Sequence, residues 1–363
     1  GMTAALQAVD SGVNSVIIVE KGGSTGGNTS RATGGMNAAK TVYQDENEWS
    51  DATTTAVEKA IATAEEKYAD GDKISNLTAT VKEQFEAYKA NPEGYFDSVE
   101  LFALDTIIGG KGLNQSVALA RAGAQVFHAG CVGADGVFLL DFLRNEGVDT
   151  RYIRTVSAPT GHAVIEVEES GENRILLYGG ANRLVREEQV VETLSAFAAG
   201  DILLLQNEIN GVERLIDAAH ARGLTVVLNP SPFTENLAAL PAGAVDWYFV
   251  NETEAAQLSG KSGEKAVIAA LRQRFPCARF VYTMGSKGAV YFDAAAQLFV
   301  PAVPVEAVDT TAAGDTFTGY FLATYYSMGG DVQAALTAAV TAAAKAVTVV
   351  GAASAIPKKE ELS

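Results

Sequence analysis

Asp315 lies in a stretch whose composition suits the transfer of a phosphoryl group. A β-run that ends at Val308 is followed by the small residues Ala312, Ala313 and Gly314, and then by apolar residues at helical spacing. The small residues would form the N-terminus of a helix, where unpaired N–H groups and the helix dipole bind anions. A carboxylate repels phosphate, so Asp315 is better explained as the base that deprotonates an attacking hydroxyl.

Asp315 also has a simpler interpretation as a helix cap, because acidic residues are favoured in the first turn of a helix. The longer pattern Asp-Thr-x-Ala-Ala-Gly-Asp-Thr-Phe (309–317), between a strand and a helix, resembles the C-terminal signature of the ribokinase (PfkB-type carbohydrate kinase) family. The resemblance implies that Asp315 is the catalytic base. It also implies that the amides of residues 312–314 form an anion hole for the transferred phosphoryl group.

A second signature lies about two hundred residues earlier. The pattern Gly-Gly-Lys-Gly-x-Asn-Gln (109–115) resembles the N-terminal signature of the same family. The resemblance implies that Gly110, Lys111 and Asn114 contact sugar hydroxyls, and that Glu208 is an acidic sugar ligand. Two alternatives stay open, since Lys111 could be a solvated side chain and Glu208 a charge at a helix N-terminus.

Two further motifs resemble the nucleotide site of the family. Asn251-x-x-Glu254 follows an apolar strand and is similar to the family's magnesium and phosphate motif, which implies that Glu254, with Asn251, binds Mg²⁺. The loop that follows residue 282 is similar to the family's nucleotide loop. Its implied ATP-binding residues, with Asn251, are Thr283, Gly285, Ser286 and Gly288. Taken alone, Asn251 could equally be a helix cap, and the loop a tight turn between strands.

A monovalent-cation site is also implied by the resemblance. The residues that are similar to the K⁺ site of many family members are Asp309, Thr311, Ala346 and Gly351. Related sequences often carry a basic pair and a serine where this chain has Val349, Val350 and Ala355. Backbone ligands would survive those changes, so K⁺ dependence is left open.

The elements that would position these residues alternate along the chain. Apolar runs of strand length are separated by stretches of helical spacing, which predicts a largely parallel sheet with helices on both faces. The predicted strands are Val126–Gly130, Asp201–Leu205, Thr225–Leu228, Trp247–Val250, Arg279–Thr283, Ala289–Phe292 and Leu298–Val308. The predicted helices are Gln115–Gly123, Val137–Glu146, Val212–Arg222, Glu252–Leu258, Lys265–Arg274 and Asp331–Val349. Alternating apolar and polar residues at Gly161–Glu168 and Asn173–Leu177 predict a hairpin. The family resemblance implies that this hairpin is the small β lid of a ribokinase-like, doubly wound α/β fold.

The first hundred residues have a different character. An apolar strand ending at Glu20 is followed by a Gly/Ser/Thr-rich loop and a helical stretch, Asp51–Lys89, and residues 1–112 resemble the FAD-binding domain of fumarate reductase/succinate dehydrogenase flavoproteins. The resemblance implies a partial Rossmann-type fragment in which the residues facing FAD are Glu20, Gly27, Asn28, Ser30 and Gly35. A flexible Gly/Ser loop is the alternative.

We therefore expect two segments, a partial flavoprotein-like segment (1–108) and a ribokinase-like domain (109–363). The family normally begins with a strand, a sugar-binding aspartate and two lid strands ahead of its Gly-Gly-Lys-Gly motif, and residues 1–108 do not match them. Loss of a central strand would leave backbone groups unpaired. Our hypothesis is that two gene fragments are joined near residue 109, which would cripple the kinase.

Bulk composition narrows the choice of partners and compartment. A formal net charge of −17 argues against nucleic acid or an anionic membrane as a partner. Two cysteines give no disulfide framework, and no apolar run has membrane-spanning length, so a cytoplasmic protein is expected. The predicted function is ATP-dependent phosphorylation of a sugar, with ribose as the default substrate and a homodimer as an option. The alternatives are a flavin-binding oxidoreductase fragment and a non-catalytic chimeric remnant.

Overall fold

Strands and helices alternate along most of the chain. The computed structural model describes residues 73–90, 108–167 and 173–362, together with residues 58, 61 and 62. The strands are β1 (Phe127–Val132), β2 (Asp149–Thr155), β3 (His162–Val167), β4 (Asn173–Tyr178), β5 (Ile202–Gln206), β6 (Thr225–Asn229), β7 (Trp247–Asn251), β8 (Arg279–Thr283), β9 (Ala289–Phe292) and β10 (Gln297–Val300). The helices are α1 (Lys73–Ala90), α2 (Lys111–Arg121), α3 (Val137–Asn145), α4 (Glu187–Ser195), α5 (Val212–Ala221), α6 (Glu235–Ala238), α7 (Glu252–Ser259), α8 (Glu264–Arg274), α9 (Ala313–Ser327) and α10 (Val332–Ala346).

Six of these strands form the main sheet, in the order β10-β9-β8-β7-β6-β5. Strands β5 to β8 run parallel, whereas β9 and β10 pair antiparallel at one end. Strands β1 and β2 form a separate parallel pair, and β3 and β4 form an antiparallel hairpin. The predicted α/β architecture with a mostly parallel sheet is confirmed.

The main sheet is buried on both faces because its strands carry apolar residues at consecutive positions. Trp247 and Phe249 of β7 pack with Phe321 of α9 on one face. Tyr248 and Val250 of the same strand belong to the core on the opposite face. Burial on both sides is the usual condition of parallel strands covered by helices.

The chain divides into two compact units. One comprises residues 1–107 with the segment 161–178, and the other comprises residues 108–160 and 179–363. In the first unit, Val81 and Phe85 are buried and lie four residues apart on α1, on one helix face. The β3–β4 hairpin of the same unit matches the predicted hairpin. No helix among the described residues has the length and apolarity needed to cross a bilayer.

In the second unit, α2 and α9 pack unusually closely. A Cβ atom at Gly319 would lie 2.4 Å from the Cβ of Ala118 and 2.8 Å from the Leu119 nitrogen. Any side chain at position 319 would therefore push the two helices apart. This contact sets the spacing between the start of α2 and the start of α9.

The predicted elements differ from the structure in three places. The β-run predicted to reach Val308 ends at Val300, because Pro301 and Pro304 cannot donate to a strand ladder. Helix α2 begins at Lys111 rather than at Gln115, since Gly110 adopts a φ of 110° and starts the helix earlier. Strand β2 and helices α4 and α6 were not predicted at all.

Candidate active site

Asp315 lies in the first turn of α9 with its carboxylate turned into the protein. The residue is only 8% exposed. Its Oδ2 accepts a hydrogen bond from Asn114 Nδ2 at 2.9 Å, and its Oδ1 accepts one from Gln115 Nε2 at 2.8 Å. Both donors come from α2, so the close contact between α2 and α9 brings the two halves of this cluster together.

Burial raises the pKa of Asp315 above the usual value for an aspartate. Lys111, Asn114 and Gln115 act in the opposite direction, because a nearby cation and two hydrogen bonds favour the charged form. The balance leaves a carboxylate that is more basic than an exposed aspartate. A group of this kind is suited to accept a proton from a hydroxyl near neutral pH.

The helix that carries Asp315 begins with unpaired backbone amides. Ala312 has a φ of 60°, the only positive φ of a non-glycine residue among the described residues, and α9 starts at Ala313. The Ala313 amide donates to Thr310 O at 3.3 Å, whereas the Ala312 and Gly314 amides donate to no carbonyl in the described part of the chain. Such amides at a helix N-terminus form an anion site.

The first turn of α2 faces the same cluster. The Lys111 amide donates to Glu208 Oε2 at 3.1 Å. Burial raises the pKa of Glu208, Lys111 lowers it, and the charge of Asp315 raises it again. Asn114 is 4% exposed, and its Oδ1 is a buried acceptor with no partner among the described residues. An unpaired buried acceptor beside a carboxylate is a natural partner for a ligand hydroxyl.

Asn251 and Glu254 form a capping box at the start of α7. Asn251 Oδ1 accepts from the Glu254 amide at 2.9 Å, and Glu254 Oε2 accepts from the Asn251 amide at 3.1 Å. Asn251 therefore does cap the helix, as its alternative interpretation predicted. A cap does not exclude a second role, because the Asn251 side chain keeps its Nδ2 donor.

Polar residues end four neighbouring strands at the carboxyl edge of the main sheet. Gln206 and Asn229 are register partners at the ends of β5 and β6, and Asn251 and Thr283 are register partners at the ends of β7 and β8. The carboxyl edge of a parallel sheet is the usual ligand-binding edge of α/β folds. Gln206 and Asn229 were not among the predicted site residues, although a polar residue that closes an apolar strand could have indicated them.

The predicted nucleotide loop continues from this edge. Residues 285–287 form a single 3₁₀ turn, and Gly285 and Gly288 have φ angles of 53° and 121°. Ser286 is exposed, and Lys287 Nζ lies 2.9 Å from Glu252 Oε1. The tight turn that was the alternative interpretation is therefore present, and its serine is open to a ligand.

The predicted cation residues are grouped as well. Asp309 Oδ1 accepts from the Thr311 amide, and Asp309 Oδ2 accepts from the Gly351 amide, each at 2.9 Å. Ala346 is the last residue of α10, three positions before the apolar pair that begins at Val349. Burial opposes ionisation of Asp309, but hydrogen bonds from Thr311 and Gly351 outweigh it, and its pKa is lowered.

Hydrogen bonds connect the start of α2 to the carboxyl edge of the main sheet. Gln115 Nε2 reaches Asn229 Oδ1 at 3.3 Å, and Asn229 Nδ2 reaches Glu254 Oε2 at 3.4 Å. Gln115 belongs to the glycine-rich motif, yet the sequence did not single it out. The residues predicted to face FAD, Glu20, Gly27, Asn28, Ser30 and Gly35, all lie outside the described residues.

A basic carboxylate beside unpaired helix amides, at the carboxyl edge of a doubly wound sheet, has the features of a phosphotransferase that acts on a hydroxyl. Residues 84–359 match the model of the pfkB family carbohydrate kinases. The chain is 38% identical over 267 residues to the ribokinase of Haemophilus influenzae, covering 70% of this chain and 85% of that protein. It is 34% identical over 277 residues to the deoxyribokinase of Salmonella typhi, covering 74% and 90%.

A solved ribokinase structure has a fold similar to that of this chain. The ribokinase of Cryptococcus neoformans in complex with ADP superposes with a TM-score of 0.64 at 32% identity, covering 70% of this chain and 88% of that one. The chain belongs to the pfkB family of carbohydrate kinases. It is therefore a kinase that phosphorylates a sugar with ATP.

Proposed function

We propose that this chain phosphorylates a hydroxyl group of a pentose, with ribose or 2-deoxyribose as the substrate and ATP as the donor. The observation that carries the proposal is the buried carboxylate of Asp315, which is held by two amide donors beside a helix N-terminus. The names of the two relatives, a ribokinase and a deoxyribokinase, support a pentose.

Asp315 acts as the general base. The sugar hydroxyl gives its proton to the Asp315 carboxylate while its oxygen attacks the γ-phosphorus of ATP. The bond between that phosphorus and the β-γ bridging oxygen breaks, which releases ADP and leaves a sugar phosphate. The Ala312, Ala313 and Gly314 amides stabilise the negative charge that develops on the transferred group.

Substrate hydroxyls are held by the polar groups around the base. Asn114 offers its Oδ1, which has no partner among the described residues, as an acceptor, and Glu208 offers a half-buried carboxylate. Gly110 brings the backbone close to the sugar, because its φ of 110° is a conformation that other residues rarely adopt. Lys111 supplies a positive charge near both carboxylates.

The carboxyl edge of the sheet holds the triphosphate. Asn251, Thr283, Gly285, Ser286 and Gly288 contact ATP, and this proposal is supported by the alignment of Asn251 with Thr283 at the ends of β7 and β8. Their polar groups orient the phosphates toward the start of α9.

Glu254 and Asn251 fit a magnesium ion held through water. Glu254 is 8% exposed and presents a carboxylate oxygen at the sheet edge, and Mg²⁺ usually keeps several waters beside one or two carboxylates. When bound, the ion would neutralise charge on the triphosphate. A K⁺ ion would be held by the Asp309 carboxylate and by backbone carbonyl oxygens of Thr311, Ala346 and Gly351. The hydrogen bonds from the Thr311 and Gly351 amides to Asp309, which bring three of these residues together, support this proposal.

Two further proposals concern the boundary between the segments of the chain and its oligomeric state. We place the boundary between its two segments near residue 108, where the second compact unit begins. We also propose a homodimer, on the ground that the β3–β4 hairpin offers strands for pairing between copies. Flavin binding is not proposed, because its residues lie outside the described part of the chain.

The decisive experiment measures sugar-dependent ADP release with ribose, 2-deoxyribose and a panel of other sugars. We expect Asp315→Asn to lower kcat by about 10²–10⁴, the usual contribution of a general base. Asp141→Asn, which changes an exposed carboxylate paired with Arg144, is the matched control and should leave kcat unchanged. Turnover that persists in Asp315→Asn would reject the base assignment.

A further inference from the structure

The side-chain amide of Gln115 is fully committed to hydrogen bonds inside the site. Gln115 is 1% exposed. Its Nε2 donates to Asp315 Oδ1 at 2.8 Å and to Asn229 Oδ1 at 3.3 Å, and its Oε1 accepts from Gln206 Nε2 at 2.5 Å. A flipped amide would set Oε1 against two acceptor oxygens, so the hydrogen-bond pattern fixes one orientation.

The same direction of donation continues toward the predicted magnesium motif. Asn229 Nδ2 donates to Phe249 O at 3.0 Å and to Glu254 Oε2 at 3.4 Å. Glu254 Oε2 also accepts from the Asn251 amide at 3.1 Å. The side-chain amides of Gln115 and Asn229 therefore connect the Asp315 carboxylate to the carboxylate of Glu254.

Gln115 and Asn114 hold the two oxygens of the same carboxylate but differ in what else they contact. Asn114 keeps a buried acceptor that has no partner in the part of the chain that the structure describes, which leaves this oxygen available to a substrate hydroxyl. Gln115 has no free atom left in its amide. The neighbouring residues thus divide two tasks, contact with the ligand and alignment of the base.

We propose that Gln115 is a positioning residue, which aligns the Asp315 carboxylate with the Asn229–Glu254 edge of the sheet. The proposal rests on the proposed function, because it assumes that Asp315 is the base and that the sheet edge holds the triphosphate. Gln115 acts through Asp315 and Asn229 rather than on the substrate. The other charged groups that face the carboxylate are Lys111 and Glu208.

Gln115→Met tests the proposal because it keeps the length of the side chain and removes its donors. We expect kcat at neutral pH to fall about tenfold, the loss typical of one hydrogen bond to a charged group, with the sugar KM changed by less than about threefold. The acidic limb of the kcat–pH profile should move to higher pH, because the ionised base loses a donor. Gln115→Glu should move the limb further, since it sets a second carboxyl group against Asp315.

Gln189→Met is the matched control. Gln189 is another buried glutamine, but it donates to Gly130 O and Tyr152 O, away from the site. This variant should lose stability without moving the acidic limb. A Gln115→Met profile that superimposes on the wild-type profile, or an equal movement in Gln189→Met, would overturn the proposal.

A second measurement separates this proposal from the proposed function. The ¹³C carboxyl resonance of Asp315 can be assigned by its absence from Asp315→Asn and followed against pH without any turnover. We expect a higher titration midpoint in Gln115→Met than in the wild type. An unchanged midpoint overturns the positioning role. Absence of ADP release with every sugar, alongside a shifted midpoint, would overturn only the proposed function.

Discussion

At the scale of single residues, Asp315 combines burial with hydrogen bonds that favour its ionised form. Burial alone would keep the carboxyl group protonated, and the two amide donors alone would make it a weak base. The combination yields a carboxylate that is both ionisable and basic. Its neighbours Asn114 and Gln115 therefore matter as much to the proposed chemistry as the aspartate itself.

The pH dependence of turnover should reflect this environment. Because burial raises the pKa of Asp315 above the ordinary value of 3.8, the base becomes protonated at a higher pH than a surface aspartate would. We expect kcat to fall on the acidic side with a midpoint above that value. Lys111→Met should move the midpoint further up, since the lysine favours the charged form. A kcat that stays constant down to about pH 4, the range of an unperturbed aspartate, would contradict this prediction.

Asp315→Asn should stabilise the fold even though it lowers kcat. A carboxyl group whose pKa is raised on folding contributes stability only at low pH, and that contribution is lost as the pH rises through the folded-state value. At neutral pH the ionised Asp315 is therefore a cost that an amide does not carry. The unpartnered Oδ1 of Asn114 can turn to accept from the new amide. We expect Tm to rise by about 2–4 °C, which corresponds to roughly 1 kcal/mol.

Asp309→Asn is the control of opposite sign for that measurement. The pKa of Asp309 is lowered in the folded protein, since hydrogen bonds from Thr311 and Gly351 outweigh its burial. Its carboxylate therefore stabilises the fold at neutral pH, and this contribution is lost as the pH falls through the lowered value. Asp309→Asn should lower Tm at neutral pH. Equal changes in Tm for the two variants would contradict the opposite directions of the pKa shifts of Asp315 and Asp309.

Much of the candidate site could be predicted from the sequence, because its motifs are contiguous. Asp315, Lys111, Asn114 and Glu208 do lie in one cluster. The polar end of β6 could have indicated Asn229, but its contact with Gln115 could not be predicted, because that contact depends on which strand lies beside β7 and on the reach of a side chain from α2. Periodicity gives neither strand order nor side-chain contacts.

At the scale of elements, the contact between α2 and α9 determines whether the base meets its donors. Gly319 lies about one helical turn after Asp315, and Ala118 lies one turn after Asn114. The small residues thus set the helix spacing next to the residues that need it. The pairing could not be predicted, because a glycine within a helix does not reveal which helix will face it.

Gly319→Ala should push the two helices apart and lower kcat more than it lowers substrate affinity. The new Cβ would meet Ala118 Cβ at 2.4 Å, and overpacking of this kind costs about 1–3 kcal/mol. Restoring space with Ala118→Gly in the same chain should recover part of the activity. Recovery should be incomplete, because the Leu119 nitrogen remains 2.8 Å from that Cβ position. Unfolding midpoints and kcat for the single and double variants provide the check.

The strands of the main sheet were predictable because they are short, apolar and bounded by turns. Strand β2 was not, since its sequence Asp-Thr-Arg-Tyr-Ile-Arg-Thr is largely polar and its arginines are exposed. The same logic explains the overestimate of β10, where apolar valines continue past two prolines. Apolar patterning reports burial, and it predicts a strand only where burial and backbone pairing coincide.

At the scale of the whole molecule, the chain carries a formal charge of −17 and has a sequence pI near 4.6. Its proposed co-substrate is itself a polyanion, so the long-range field of the protein opposes its approach. Local amides and Lys111 must provide the attraction at short range. The charge of the molecule therefore affects association with ATP more than the chemical step.

Kinetics at different salt concentrations should separate the long-range repulsion of ATP from its short-range attraction to the site. The Debye length falls from about 30 Å at 0.01 M to about 8 Å at 0.15 M ionic strength, which screens the repulsion over the approach path. We expect kcat/KM for ATP to increase over this range at constant free Mg²⁺, while kcat/KM for the uncharged sugar stays nearly constant. A steady decrease for ATP would instead indicate a positively charged approach to the site.

The capping box at Asn251 ties nucleotide recognition to the integrity of a helix. An alanine at this position would remove the proposed phosphate ligand and the N-cap of α7. Nucleotide binding and the stability of the helix would therefore both decrease. An aspartate would preserve the cap and place a negative charge beside the phosphates. The residue at this position must therefore cap α7 and must also carry no negative charge beside the phosphates. Asparagine meets both requirements.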